Sequence, residues 1–465
     1  MAQLLKKRKL VLINPVNPVN TGLTINKSSR FPPIGLGIVA ALTPDTWDVI
    51  LLDENWEPFT YQEADLVGIT AFTASAPRAY EIAALYRKQG IPIVMGGIHA
   101  SMCTEEALQF VNTVVSGEAE AVWPQVIRDF DLGQMQQVYQ SEHIDIKNAL
   151  GLRRDLFHPD YMFASVQTSR GCPMDCEFCS VTAFNGRRYR RRPPSQVLAE
   201  LESIPQKLLF FVDDNIIGYG KESQDQALEI FKAMAERKLN KWWFCQASIN
   251  FADNEDVLYW AAKAGCKMVF LGLEAEKLDT LTEVNKQLNI KRGVDSYDAI
   301  IRRIQKAGMA VLGAFIFGMD SDTPEKLCQR AEYMIHSGID VMQTTVLTPL
   351  PGTRLFEKYQ QEKRLLYADF PKDWSCYDMT KVVHRPGSID AETLEQEIDK
   401  LNTKMYSWPV IIRKAIRTFW QTRDITATMF AWNSNMNYRR VGLYQRKAKK
   451  SSQQADHFYC SKLKR

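Results

Sequence analysis

Residues 163–179 read FASVQTSRGCPMDCEFC, an apolar run that leads directly into a loop with three cysteines. The apolar half is typical of a β-strand that is buried on both faces. Cys172, Cys176 and Cys179 follow it at gaps of three and then two residues. A loop with this spacing can wrap three thiolates around one inorganic centre.

Three thiolates in one loop predict an iron–sulfur cluster, because thiolates are the usual protein ligands of such clusters. A [4Fe–4S] cube bound by three cysteines keeps one iron open, and that iron can chelate the amino and carboxylate groups of S-adenosylmethionine. The alternative is structural zinc, which usually needs four closed ligands. No fourth Cys or His lies near this loop in the sequence, which favours the cluster.

The other six cysteines are scattered. We expect most of them to be small buried apolar side chains, and we single out Cys376, in an aromatic segment, to be tested for a catalytic role. The six scattered cysteines are Cys103, Cys245, Cys266, Cys328, Cys376 and Cys460. The apolar run at the N-terminus is too short for an export signal, so we predict a cytoplasmic protein with reduced thiols.

Length and composition indicate a globular protein of two domains with a tail. The chain has 465 residues, 45% of them hydrophobic and 24% charged. It has no run of 18 apolar residues, so no membrane-spanning helix is expected. The net charge of +4 is small for this length and by itself gives no indication of nucleic-acid binding.

From residue 163 onward, apolar strand patterns alternate with amphipathic helix patterns. This alternation predicts a partial (β/α)6 TIM barrel, with its chemistry at the carboxyl ends of the strands. The predicted strands are 163–169, 208–215, 243–249, 268–275, 310–318 and 341–349. The predicted helices are 195–203, 223–237, 254–264, 297–307 and 324–337. The cysteine loop follows the first strand, as that rule requires.

The first 130 residues contain a shorter alternating series, which predicts an open, doubly wound α/β sheet of the Rossmann-like or flavodoxin-like kind. Its strands end at Asn14, Asp53, Thr70, Gly97 and Glu118. Ligands of such sheets bind beyond the carboxyl ends of the strands. The segments expected there are 14–21, 70–75, 96–101 and 116–118.

Five regions follow from these patterns. We predict a Rossmann-like domain, a linker, the partial barrel, a smaller helical cap rich in Trp, Tyr, Pro and basic residues, and a frayed basic tail. Their predicted bounds are 8–135, 136–162, 163–359, 360–445 and 446–465.

The string at 168–179 resembles the signature of the radical S-adenosylmethionine (SAM) superfamily. Up to about residue 400 the chain resembles its cobalamin-binding branch, which contains hopanoid methylases and the anaerobic magnesium-protoporphyrin ester cyclase. Further matching strings are ADLVGIT at 64–70, GGIH at 96–99, SGEAE at 116–120, FVDDN at 211–215, GLE at 272–274 and TPLPGT at 348–353. The resemblance implies a cobalamin-binding Rossmann-like domain followed by the barrel.

The resemblance also assigns roles to the barrel residues. Cys172, Cys176 and Cys179 would hold the cluster and act in catalysis. The residues that would contact SAM are Asp213, Asp214, Asn215, Gln246, Ser248, Glu274, Gly313 and Gly318. For Gln246 and Ser248 an ordinary polar strand end is the alternative, and for the two glycines a bulge or tight packing. Glu274 is better supported, because an acidic residue that closes a buried strand needs a partner.

Cobalamin would lie against the first domain. The residues expected to contact it are Asn14, Thr70, Ser75, Gly96, Gly97, His99, Gly117 and Glu118. Many cobalamin proteins supply a histidine from an Asp-x-His-x-x-Gly string, but the loop 14–20 has none, so we expect no protein histidine below the cobalt. His99 could approach the corrin, or it could be an ordinary hydrogen-bonded loop histidine.

By resemblance, the enzyme would cleave SAM to a 5′-deoxyadenosyl radical, which removes hydrogen from an unactivated carbon. Methylation of that carbon is the main expectation, and a cyclase-type reaction without methyl transfer stays open. The expected partners are a lipid or other small-molecule substrate and an electron donor such as flavodoxin or ferredoxin. The basic, aromatic segment 405–420 could also lie on a membrane and receive a lipid. Alternatively, it packs on the barrel mouth with its charges solvated.

Two other function classes remain. Basic runs at 6–9, 187–192 and 446–450 could bind RNA, although the chain has no recognisable RNA-binding module. The run at 187–192 could instead bind an anionic group or pin the cluster loop. The other class is a non-catalytic cobalamin carrier or sensor, but such a protein would have no use for the cysteine loop.

Overall fold

The first domain is a parallel sheet of six strands. The computed structural model describes residues 7–17, 29–148 and 151–462, with side chains as far as Leu443. The strands are β1 (Arg8–Asn14), β2 (Trp47–Asp53), β3 (Leu66–Thr70), β4 (Ile93–Gly96), β5 (Thr113–Ser116) and β6 (Val138–Gln140). Their order is β2-β1-β3-β4-β5-β6, so the chain reverses direction across the sheet between β1 and β3.

Helices cover both faces of this sheet. They are α1 (Ile34–Leu42), α2 (Ala76–Lys88), α3 (Ile98–Met102), α4 (Thr104–Ala107) and α5 (Ala119–Asp131). The central strands are apolar on both faces because α2 packs on one side and α1 and α5 on the other. The sequence predicted five strands and missed β6, which lies inside the expected linker and pairs with β5.

The second domain is a parallel sheet of six strands in consecutive order, as the sequence predicted. The strands of this domain are β7 (Phe163–Val166), β8 (Ser169–Arg170), β9 (Arg190–Arg191), β10 (Leu208–Phe211), β11 (Trp242–Ala247), β12 (Cys266–Glu274), β13 (Ala310–Phe317) and β14 (Val341–Val346). The barrel sheet runs β7-β10-β11-β12-β13-β14. The short pair β8 and β9 forms an antiparallel ribbon at its edge.

Eight helices follow the barrel strands in chain order before the C-terminal region. They are α6 (Ser180–Asn185), α7 (Pro194–Ser203), α8 (Lys221–Glu236), α9 (Glu255–Lys263), α10 (Leu278–Glu283), α11 (Gln287–Arg292), α12 (Tyr297–Lys306) and α13 (Pro324–His336). The five longer ones match the predicted helices. The sequence did not predict the short helices α6, α10 and α11.

The C-terminal region consists of α14 (Arg354–Gln361), α15 (Ala391–Met405), α16 (Trp408–Thr422) and α17 (Ile425–Lys462). Helix α17 continues where a frayed tail was expected. Ala427 and Ala431 of α17 pack with Met268 and Leu312 from the strands, so α17 fills the inner face of the barrel. No helix in the described part of the chain combines the length and the apolar character needed to cross a membrane.

Helix α16 lies at the end of the barrel where the strands begin. Lys414 donates to the carbonyl of Ile339, and Thr418 donates to Asp340, the residue just before β14. Asp424, just after α16, pairs with Lys267 at the start of β12. The helix therefore does not pack on the barrel mouth, and of the charges expected to be solvated Lys414 is buried whereas Arg413 is exposed.

A buried ion cluster fixes the end of β13. The guanidinium of Arg330, on α13, contacts Asp322 at 2.8 Å and Glu276 at 2.9 Å, and the side chains of Arg330 and Asp322 are both 0% exposed. Asp322 also accepts hydrogen bonds from the backbone N–H groups of Gly318 and Met319. These contacts hold the turn that follows β13.

Replacing Arg330 with Met should leave Asp322 buried without its partner and lower the free energy of unfolding by about 3–5 kcal/mol. Urea denaturation followed by circular dichroism measures the change. Arg237→Met is the matched control, because Arg237 and Glu202 form an exposed pair that should contribute less than about 1 kcal/mol. Equal losses in both variants would contradict the role of this cluster.

Candidate functional site

The three cysteines lie in the loop between β8 and α6, directly after the first barrel strand. The residue before Cys172 is Gly171, whose φ of +90° lies in the left-handed region. A Cβ there would stand 2.2 Å from the carbonyl oxygen of Arg188, so the turn into this loop requires glycine. The ribbon of β8 and β9 closes the base of the loop.

Segments from two other parts of the chain hold this loop. Asn285 donates to the carbonyl of Asp175 at 2.8 Å, and the N–H of Glu177 donates to the carbonyl of Val284 at 3.2 Å. From α14, the Arg354 guanidinium donates to both the side chain and the carbonyl of Asp175. The predicted string TPLPGT therefore ends at a helix that anchors the cysteine loop.

The thiols are partly buried and close enough to influence one another. Burial raises the pKa of each, and the charge of Cys179 adds to this effect at Cys172 and Cys176, so the pKa of Cys176 reaches about 11. A buried thiol with a raised pKa stays protonated until a cation binds it. The loop thus requires a positively charged centre to become three thiolates.

Lys286 places a positive charge beside the cysteines. Its ammonium group donates to the carboxylate of Glu274 at 2.6 Å. Burial alone would lower the pKa of Lys286, but the charges of Glu274, Cys176 and Cys179 hold it above its ordinary value. Glu274 has a φ of +64°, a strained conformation for a residue with a side chain. Such strain concentrates at functional positions, in agreement with the predicted role of Glu274.

The chemistry of this loop fits an iron–sulfur cluster, because thiolates are the usual protein ligands of such clusters and three of them come from one loop. Cys172, Cys176 and Cys179 would hold a [4Fe–4S] cluster.

The three residues of the predicted Asp-Asp-Asn string have different environments. Asp213 is 0% exposed and accepts hydrogen bonds from the N–H and hydroxyl of Thr168 and the hydroxyl of Ser169. Asn215 is buried and donates to the carbonyl of Gly218 at 3.4 Å. Contact of Asp213 with SAM is therefore a wrong prediction, because its carboxylate positions the strand before the cysteine loop.

Asp214 is the member of that string that faces open space. It lines the large cavity described below, and Asn185 donates to it at 3.3 Å. Burial, together with the neighbouring charge of Asp213, raises its pKa to about 6. Its predicted contact with a cofactor stays a prediction.

The remaining residues that were predicted to contact SAM have different surroundings in the structure. The hydroxyl of Ser248 is 2.7 Å from that of Tyr219, and Gln246 is half-buried on β11. A Cβ at Gly313 would stand 3.0 Å from Ile339, and one at Gly318 would stand 3.0 Å from Leu394. Tight packing therefore explains both glycines, as the alternative proposed, and their contact with SAM stays a prediction.

A cavity of about 900 Å³ joins the two domains. It opens at the carboxyl ends of the first sheet and reaches the carboxyl ends of β7 and β10 and the residues just after Cys179. Predicted cobalamin contacts that line it are Asn14, Thr70, Ser75, Gly96, Gly97, Gly117 and Glu118. Of the predicted SAM contacts, Asp214 lines the same cavity, so the cavity extends from the predicted cobalamin region to the edge of the barrel site.

His99 does not belong to the lining of this cavity. Its side chain is 0% exposed, and its Nε2 lies 3.1 Å from the hydroxyl of Tyr80 and 3.2 Å from the carboxylate of Glu106. Trp374 donates to the same carboxylate. The structure supports the alternative of an ordinary hydrogen-bonded histidine, so the prediction that His99 approaches the corrin is wrong.

The cavity also enters the first domain as a cleft. Leu12, Gly68, Val94 and Val115, on one face of the sheet, line it together with Trp123 of α5. A Cβ at Gly68 would stand 2.7 Å from Leu12, so this floor is already tight. A deep apolar cleft that opens into a wide cavity fits a large cofactor with a side arm, so these residues would hold cobalamin.

Buried ion pairs join the two domains at the cavity wall. The carboxylate of Glu118 accepts two hydrogen bonds from Arg190, at 2.7 and 2.8 Å, and lies 3.4 Å from Arg170. Arg170 also donates to Glu120 at 2.5 Å. Burial alone would raise the pKa of Glu118, but Arg190 and Arg170 lower it below its ordinary value. We call Glu118, Glu120, Arg170 and Arg190 the interdomain clamp.

The clamp changes the interpretation of the basic run at 187–192. Arg190 is 5% exposed, and Arg191 and Arg192 donate to backbone carbonyls on the barrel. Arg190, Arg191 and Arg192 therefore pin the cluster loop, which was one of the alternatives, whereas Arg187 and Arg188 are exposed and binding of an anionic group or RNA by them stays a prediction. The runs at 6–9 and 446–450 lie partly or wholly outside the described side chains.

The sequence did not single out Lys286, Arg170 or Tyr219. Lys286 lies in a polar stretch between two short helices, where nothing in the sequence marks a buried charge. Among the other cysteines, Cys245 and Cys266 are buried as expected, whereas Cys328 is exposed. Lys381 donates to the sulfur of Cys376 at 3.5 Å, and the catalytic test of Cys376 stays a prediction.

Family models match both domains. The model of the radical SAM superfamily matches residues 166–334, and that of the B12 binding domain matches residues 21–127. Bacteriochlorophyllide d C-12(1)-methyltransferase of Chlorobaculum tepidum is 28% identical over 88% of this chain and 89% of its own. The hopanoid C-2 methylase of Rhodopseudomonas palustris is 27% identical over 73% of this chain and 66% of its own.

Solved structures share the architecture. The radical SAM methyltransferase TsrM from Kitasatospora setae, with cobalamin and a [4Fe–4S] cluster bound, aligns with a TM-score of 0.66 at 15% identity, over 96% of this chain and 100% of its own. The cobalamin-dependent SAM radical enzyme OxsB aligns with a TM-score of 0.67 at 12% identity, over 96% of this chain and 80% of its own. At these identities the likeness concerns the fold.

Replacing Cys172, Cys176 and Cys179 together with Ala should abolish iron binding, because no other thiol lies in this loop. After anaerobic reconstitution, iron content and visible absorption of the triple variant should fall to background. Cys328→Ala, on the exposed face of α13, should keep both values. Iron retained by the triple variant would refute the cluster assignment.

Replacing Glu118 with Ala should leave Arg190 buried and unpaired and lower the free energy of unfolding of cobalamin-free protein by about 3–5 kcal/mol. Urea denaturation in the absence of cobalamin measures this change. Glu202→Ala, which breaks an exposed pair, should cost less than about 1 kcal/mol. If Glu118→Ala lost only cobalamin affinity and kept its stability, Glu118 would be a cofactor ligand and not part of a clamp.

Proposed function

We propose that this chain, a B12-binding radical SAM protein, is a C-methyltransferase that acts on an unactivated carbon of a large, mostly apolar small molecule. The observation that carries the proposal is the single cavity of about 900 Å³ shared by the carboxyl ends of both sheets. A methyl donor on one wall and a hydrogen-abstracting radical on the other must reach the same carbon atom. Two separate pockets would not permit this.

When bound, the [4Fe–4S] cluster supplies the electron that cleaves SAM to a 5′-deoxyadenosyl radical, and cobalamin supplies the methyl group. The residues of this chain position and shield those groups. Cys172, Cys176 and Cys179 would hold the cluster. Glu274, paired with Lys286, offers a charged pair next to it, and Asp214 offers a carboxylate at the cavity wall.

The lining of the cavity supports an apolar substrate. Phe72, 74% exposed, and Phe184, Tyr377 and Met379 all line it. Such side chains bind flat or polycyclic molecules by contact and exclude water from a radical. Relatives whose names state bacteriochlorophyllide or hopanoid methylation span most of this chain, which makes a tetrapyrrole or an isoprenoid lipid the substrate classes to test first.

A cyclase-type reaction is the second candidate. The anaerobic magnesium-protoporphyrin IX monomethyl ester cyclase of Cereibacter sphaeroides is 23% identical over 70% of this chain. That reaction would use the same cluster and cavity without transfer of a methyl group, so the products separate the two candidates.

We also propose that a small redox protein such as flavodoxin or ferredoxin supplies the electron. The cysteine loop is half-buried and is held by a surface arginine, Arg354, so it lies near the exterior of the barrel.

The test is turnover by anaerobically reconstituted enzyme with SAM carrying a CD3 group, a reductant, and chlorin or hopanoid substrates. Methyl transfer should give 5′-deoxyadenosine, S-adenosylhomocysteine and a product that carries the label. The triple cysteine variant, given the same cobalamin, is the control and should give none of the three. Unlabelled, cyclised product with 5′-deoxyadenosine alone would establish the second candidate, and absence of 5′-deoxyadenosine with every reductant and substrate would refute both.

A further inference from the structure

Helix α16 has its polar face inside and its apolar face outside. The buried residues of the helix are Ile411, Lys414, Thr418 and Thr422. Large apolar residues point outward, with exposures of 46% for Trp408, 46% for Ile412, 55% for Ile416, 43% for Phe419 and 59% for Trp420. This arrangement is the reverse of the usual one for a helix on the surface of a globular protein.

The inner face is fixed by hydrogen bonds. Lys414 donates from its ammonium group to the carbonyl of Ile339 at 2.6 Å, and Thr418 donates to Asp340 at 2.7 Å. Asp340 also accepts from Gln305 and from the N–H of Val311. Rotating α16 to bury its apolar face would leave these buried polar groups unpaired, so the apolar face has to stay outside.

The outward face continues onto α17. Ile425 and Met429, at the start of that helix, are 68% and 57% exposed. We call the resulting surface the apolar ridge. It comprises Trp408, Ile412, Ile416, Phe419, Trp420, Ile425 and Met429. It is formed by exposed side chains of α16 and of the first turns of α17.

Basic side chains accompany the ridge. Residues 408–429, which contain it, have four Lys and Arg (Arg413, Lys414, Arg417 and Arg423) and one acidic residue, Asp424, a net charge of +3. Arg413 is exposed at the edge of the ridge, and Arg423 lies 4.6 Å from the ring of Trp420. This charge disfavours pairing of two copies through the ridge and favours an anionic partner.

We propose that the apolar ridge binds the surface of an anionic lipid bilayer. Aromatic and aliphatic side chains on an exposed helical face, with arginines at its edge, have the composition of helices that lie in the bilayer interface. Tryptophans at both ends of α16 suit that boundary, because their rings are amphipathic. The occupant is a bilayer, since the exposed Arg413 and the neighbouring Arg423 can contact anionic headgroups while the apolar side chains enter the interface.

The bilayer would lie at the end of the barrel opposite the cavity. Helix α16 contacts the residues that precede β14, whereas the cavity opens where β7 and β10 end. Binding through the ridge therefore anchors the enzyme and leaves the cavity facing the aqueous side. The earlier idea that α16 itself delivers a lipid to the site does not agree with this placement.

The test is co-sedimentation of full-length protein with vesicles of phosphatidylglycerol and phosphatidylcholine in equal parts, compared with phosphatidylcholine alone. We expect binding to the anionic vesicles that weakens as salt rises. The double variant Ile412→Glu with Ile416→Glu should bind at least about ten-fold more weakly, because two apolar contacts become negative charges. Leu132→Glu is the matched control, since Leu132 is 69% exposed but lies on the first domain.

Two further measurements complete the test. 5′-Deoxyadenosine formation without vesicles should be the same in wild type and the double variant, which separates loss of anchoring from loss of catalysis. Brominated lipid should quench tryptophan fluorescence less in Trp420→Phe than in wild type. Equal binding to both vesicle types, no binding to either, or a dimer in solution that the double variant breaks would overturn the proposal.

Discussion

The salt bridge between Glu118 and Arg190 is the contact on which the shared site depends. It joins the loop after β5 of the first sheet to the ribbon that closes the cysteine loop of the second. Both side chains are almost fully buried, at 3% and 4% exposure, so neither charge can be solvated if the pair separates. Two sheets that each bind a cofactor are thereby held with their carboxyl ends facing one cavity.

Other contacts restrict ligands to that end of the barrel. Phe31, from the first domain, packs between Phe163 and Phe210 inside the barrel, with ring centroids 5.8 and 4.7 Å away. Phe430 of α17 reaches the same aromatic group from the opposite side. With the interior filled by side chains, space for cofactors and substrate remains where the strands end. The six-stranded barrel is thus a packed support for the cavity at its end.

Patterns of local origin were predictable from the sequence, whereas pairings between distant residues were not. Continuous apolar runs identified eleven of the twelve strands in the two large sheets, because each is buried on both faces whatever its neighbours are. The strand β6 has three residues, too few to show a pattern. The resemblance assigned Asp213 to SAM, and only the position of Thr168 in the fold shows that its carboxylate accepts hydrogen bonds from that residue.

The same limit explains why the sequence did not show which face of α16 is buried. Its sequence has a clear helical period, and a period shows that the two faces differ without showing which one is buried. Burial of apolar residues normally decides the question, but here Asp340 needs donors, and Thr418 and Gln305 supply them next to the buried ammonium group of Lys414. A buried carboxylate that lost these donors would carry a large desolvation cost, so α16 keeps its donors inside and its apolar side chains outside. The apolar face then contributes free energy only when a second surface covers it, so the position of one buried carboxylate determines which face of this helix is available for binding.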